Sequence, residues 1–229
     1  MSSRRIGGLA GLVFVSVVAI VNILLGSAQA PQAGASKAEV LAFLADHGSV
    51  VAVATSLATV VWVALAVFSA GVVAAVRGHE RSSGDSWSLL TIGGAIMQNS
   101  VFAMVVAIQV TVSVGGLSDD LVWGLWRLHD AVFSLNGASL AIVLVGGSIG
   151  AHRAGLLTGW QRTLGLVAAT ALFASAFLTP FTLDGHPVGL VGLAGFLMWL
   201  VWIASVSVAL LRGGARSSEV ATERVAAAV

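Results

Sequence analysis

"VVAVATSLATVVWVALAVFSAGVVAAV", Val50 to Val76, decides the fold. The run carries no charged residue. A helix rises about 1.5 Å per residue and the hydrocarbon core of a bilayer is about 30 Å thick, so about 20 apolar residues suffice to cross it. This run exceeds that length and is expected to tilt. Closed β-barrels are the other form that satisfies every backbone polar group in lipid, but the alternating pattern of their strands is absent here. The reading is therefore a transmembrane helix.

Five similar runs lie around it: Ile6 to Ala28, Leu89 to Val114, Ala131 to Ala151, Thr163 to Thr179 and Val188 to Leu211. The fifth span is short and stops at Pro180, which cannot continue the hydrogen-bond ladder. The expectation is an all-α integral membrane protein, a six-helix bundle in one domain over residues 1–212, followed by a mobile cytoplasmic tail over 213–229. Composition agrees: of 229 residues 58% are hydrophobic and 9% charged, against roughly 25% charged in soluble domains. The 27 glycines suit helices that associate through close backbone approach. Gly7 with Gly11, and Gly146 with Gly150, have the spacing for it. "GLAG" occurs at Gly8 to Gly11 and again at Gly192 to Gly195, which in so Gly-, Leu- and Ala-rich a chain reads as coincidence.

Charge placement orients the bundle. Arg4, Arg5, Arg77, Arg81, Arg153, Arg162, Arg212, Arg216 and Arg224 fall on the side of the two termini, and only Lys37 and Arg127 fall opposite. Basic residues in short loops favour the cytoplasm, so both termini are expected there, in a bacterial plasma (inner) membrane. The first span also has the outline of a secretory signal, with a basic start and small residues at Ala28 and Ala30. A signal's apolar core runs about 7 to 15 residues, and Ile6 to Leu25 is longer, so it reads as a retained anchor. In "PQAGASKAEVLAFLADHGS", Ser36 and Glu39 have capping-box spacing ahead of Val40, Leu41, Phe43 and Leu44. A short amphipathic helix on the outer face is expected there.

Polar side chains within a bilayer are costly and mark the bundle interior. Asn22, Gln98, Asn99, Gln109, His129, Asp130 and Asn136 stand out. Gln98 and Gln109 share a helix face, as do His129 and Asn136, so two polar stripes are expected to meet and line an outward-facing pocket, with Trp62 and Trp199 as candidate lining. Trp87, Trp123, Trp126 and Trp160 lie at span ends and fit an interfacial belt. His47, His129 and His186 each neighbour an Asp in an outer segment, and three histidines make a zinc ligand set if they converge. His129 and Asp130 are also candidates for a pH-sensing pair. There is no Cys, which excludes disulfides, thiolate metal sites and a cysteine nucleophile. Walker, G-x-S-x-G and nucleic-acid signatures are missing, so no catalytic residue, cofactor or nucleic-acid partner is assigned and enzyme activity is disfavoured.

"SKAEVLAFLADHG", "LHDAVFSLNGASLAIVLVGG" and "RAGLLTGWQRTLGLVAA", in this order, resemble an uncharacterised family of multi-pass membrane proteins common in actinobacteria. The likeness runs from about Arg5 to Leu211 and implies the six-span plan, with no activity attached. Three function classes follow: a non-enzymatic accessory, assembly or envelope-sensing protein with other membrane subunits as partners; a binder or carrier of a small apolar or lipid-like molecule; and a membrane metalloenzyme using the outer His and Asp residues.

Overall fold

The computed structural model describes residues 2–226, with side chains over 2–213. Among them there are seven helices and no strand: α1 (Ser3–Ser27), α2 (Lys37–Ser83), α3 (Trp87–Ser113), α4 (Asp119–Arg153), α5 (Gly159–Phe177), α6 (Thr179–Leu183) and α7 (Gly189–Ala226). Five are long and apolar enough to cross a membrane: α1, α2, α3, α4 and the Gly189–Gly213 part of α7. The 19-residue α5 is not among them. Its first turn holds Gln161 and Arg162, which lower its mean hydropathy. The tail expected over 213–229 lies almost wholly beyond the residues whose side chains are described; the α7 assignment runs on to Ala226.

Two helices begin earlier than their apolar runs. The segment expected as a separate surface helix is the first part of α2, which bends at His47 (φ −126°, ψ 20°). Its start is fixed locally: the Ser36 hydroxyl accepts from the Glu39 amide at 3.3 Å, and the Ser36 amide donates to the Glu39 carboxylate at 2.7 Å. The Ser36 amide, and then the Ser36 hydroxyl donating to the same carboxylate at 2.8 Å, hold the Glu39 carboxyl below its ordinary range. Likewise α4 starts at Asp119, well ahead of Ala131, with Asp119 and Asp120 in its first turn, where the helix dipole favours negative charge. Lys37 Nζ lies 2.6 Å from Asp120 Oδ1 and ties the polar starts of α2 and α4 together. That hydrogen bond and charge lower the Asp120 carboxyl.

The long helices pack in a ring, α1 on α2, α2 on α3, α3 on α4, α4 on α5, α5 on α7 and α7 back on α1, with α2 also reaching α4 across the centre. Glycines set the closest approaches. A Cβ on Gly7 would stand 2.5 Å from the Gly71 Cα, and one on Gly11 would stand 2.1 Å from Ser207 Oγ. Gly146 and Gly150 do the same against Thr91 and Trp87 of α3. Trp202, fully buried, fills the middle, edge-on to Phe68 at 6.3 Å. Large apolar side chains such as Ile23, Val63, Ile96 and Phe177 point outward, as a lipid-facing surface requires.

Among the described residues one end of the ring is tied by charge. Buried Glu80 near the end of α2 accepts from the Ser88 amide at 2.7 Å and from the Ser88 hydroxyl, so it satisfies a free donor in the first turn of α3 that Ser86 does not cap. Arg153 donates to Asp85 at 2.6 Å, and Arg4 to the Ala75 carbonyl at 3.2 Å.

Candidate functional site

The end of the ring opposite Glu80 carries the other polar group. Because α4 starts at Asp119, His129 and Asp130 sit inside it and not at its opening, and both are buried (8% exposed each). His129 Nδ1 lies 3.0 Å from Asp130 Oδ1. An ionised carboxylate only accepts, so the ring donates from Nδ1, and in the neutral tautomer Nε2 is left as an acceptor. That Nε2 is buried with no hydrogen-bond partner.

Rings surround it. On one face of α4, Trp126 stacks on His129 at 5.1 Å and His129 on Phe133 at 6.1 Å, and Phe133 leans on Phe102 of α3 at 6.4 Å. From α2, Phe43 meets Trp126 edge-on at 6.2 Å and stacks on His47 at 5.4 Å. The row of rings thus runs from the bend of α2 to the His–Asp pair of α4. Trp126 is 4% exposed and its Nε1 has no partner, nor has His47 Nδ1. Trp126 is therefore not an interfacial anchor: the early start of α4 puts it against Phe43, within the buried cluster of Val40, Val51, Val112 and Val122. Its neighbour Arg127 donates to the Leu183 carbonyl and lies 5.8 Å from the Trp123 ring centroid.

The remaining site residues scatter. Gly94 beside Val143 and Gly146 beside Thr91 set the antiparallel register of α3 on α4, which brings Gln98 level with Ser139 and about one turn from Asn136. Gln98 and Asn136 are both buried, and Gln98 Oε1 and Asn136 Oδ1 lack partners. Gln109 is only half-buried. Asn22 is exposed and donates to the Val18 carbonyl of its own helix at 2.8 Å, so it does not join. Asn99 turns the other way, to α2, donating to the Trp62 carbonyl at 3.2 Å. Trp199 belongs to the central core against Phe14 and Phe196. His186 is exposed near α6, and among the described residues no three His, Asp or Glu side chains form a metal-binding group.

The sequence reading missed Phe43, Trp126 and Glu80. For Phe43 and Trp126 the usable signal was the acidic pair Asp119–Asp120, which starts α4 early and buries the turn that follows. No known family, curated protein or solved structure matches the chain.

Proposed function

We propose that this membrane-embedded protein is a non-enzymatic sensor of the cell envelope, with His129–Asp130 as its proton-responsive element. In this reading α5 is a sixth crossing, both ends are cytoplasmic, and the pair lies beneath the outer surface of a bacterial inner membrane. The orientation is supported by the arginines: Arg4, Arg77, Arg81 and Arg153 stand toward one end of their helices, and Arg212 closes the apolar part of α7, at the end that the positive-inside bias assigns to the cytoplasm. The observation that carries the sensing role is the buried His129 ring, held by Asp130 at Nδ1 and unpartnered at Nε2.

Proton uptake at Nε2 turns a neutral ring beside a lone carboxylate into an internal ion pair, and turns Nε2 from an acceptor into a donor. In a low-dielectric site that is a large local change. The ring row couples it to Phe43, four residues before the bend of α2. Few other ionisable groups share this end of the helices: Lys37, Glu39, Asp46 and His47 on α2, Arg127 and the Asp119–Asp120 turn on α4, and Asp184 and His186 beyond α6, while α3 carries no ionisable side chain. The output would pass to a membrane partner, which copurification in mild detergent would reveal.

The test uses Trp126, which stacks on the imidazole. In a variant with the other six tryptophans replaced by Phe, reconstituted in nanodiscs, its emission is expected to change with pH. His129→Gln should flatten that response. An unchanged titration in His129→Gln would refute the assignment.

A further inference from the structure

Hydroxyls on these helices mostly satisfy themselves by donating to a carbonyl three or four residues back, as Thr55, Ser100, Thr111, Thr170 and Ser207 do at 2.7 to 3.0 Å. Ser69 does not. It is 3% exposed, its Oγ has no partner, and it lines a groove of about 160 Å³ between α2 and α3. Asn99 lines the same groove. Its Nδ2 is committed to the Trp62 carbonyl, which fixes the amide orientation, and its buried Oδ1 is left without a donor. The other walls are Ala66, Ala70, Ile92, Ala95 and Ile96.

We propose that this groove binds a small hydroxylated ring, of the phenol or hydroquinone class, entering sideways from the bilayer. Size favours a single ring, since a dry cavity of about 150 Å³ accepts benzene. Chemistry favours a hydroxyl, because Asn99 Oδ1 can only accept and Ser69 Oγ can do either. A plain acyl chain would leave both atoms unsatisfied in hydrocarbon. Entry is lateral because Ala66, Ala70 and Ile96 are exposed on the outer wall of the molecule. This is the small lipid-like ligand that the sequence allowed, placed between α2 and α3 and not between α3 and α4. The site is independent of the His129 reading.

The test is equilibrium binding of 4-ethylphenol to the full chain in nanodiscs, with uptake by empty nanodiscs subtracted and hydroxyl-free 4-ethyltoluene as the control. Saturable binding of one 4-ethylphenol per chain is expected, with none for 4-ethyltoluene above partition. Asn99→Leu and Ser69→Ala should each weaken it about fivefold, the loss of one hydrogen bond. Ala66→Leu, which fills the groove and leaves the Asn99–Trp62 bond alone, should abolish it, and His129→Gln should not change it. Partition equal to empty nanodiscs, equal uptake of the two probes, or unchanged affinity in Ala66→Leu would overturn the proposal. Where Asn99→Leu fails to fold, Ser69→Ala and Ala66→Leu decide.

Discussion

A single methyl group measures how tightly the centre is packed. A Cβ on Gly165 of α5 would stand 2.0 Å from Ser148 Oγ and 2.6 Å from Trp202 Nε1, and the Trp202 ring has no room to retreat. Ala is normally the better helix former, but membrane helices remain helical when they separate, so that gain largely cancels. Gly165→Ala should therefore cost about 1 to 3 kcal/mol from overpacking, read as a shift in a denaturant titration in mixed micelles. Gly93→Ala, with nothing within 4 Å, should leave the midpoint in place. The glycine spacings of α1 and α4 were legible in the sequence because small residues four apart share a helix face. The partner of each was not: Gly71 against Gly7, or Trp87 against Gly150, depends on register, which no single helix encodes.

At the scale of elements, helix ends proved harder to read than helix cores. The apolar runs gave the positions of α1 and α3 and the start of α7 to within a few residues, but α7 runs on to Ala226, and α2 and α4 start well before their runs because Ser36–Glu39 and Asp119–Asp120 begin helices in polar sequence. Hydropathy reports the part of a helix that lipid touches, not the part that capping builds. This early start places His129, Asp130 and Trp126 inside α4 and not at its opening. Asn99 went to α2, Asn22 stayed on the surface, and only Gln98 and Asn136 kept company across α3 and α4. The junction of α2 and α3 rests on Glu80, buried at 6% exposure and serving two Ser88 donors. Glu80→Ala leaves the Ser88 amide and hydroxyl unpaired and should cost about 1 to 3 kcal/mol, with hydrogen exchange rising first in the opening turn of α3.

For the molecule as a whole, all-helical architecture and a membrane-embedded surface were legible from composition and run length alone, since a chain with 9% charge has too few ionic groups for a wetted exterior. Orientation rests on the arginines, and the absence of cysteine makes its test clean. Ser118→Cys, exposed before α4, should react with a membrane-impermeant maleimide on intact cells, whereas Ser82→Cys, exposed at the end of α2, should react only after lysis. The reverse pattern would invert the map and move His129 to the cytoplasmic side. The closure of the ring by α1 and α7 has its own consequence. Gly8 of α1 seats against Ser207 and Leu211, and Gly11 against Ser207, so α1 meets one of its two packing partners only after α7, far along the chain, has been made. Until then that glycine-lined face waits in lipid, available to any insertion factor that shields it, and the ring locks only after α7 has inserted.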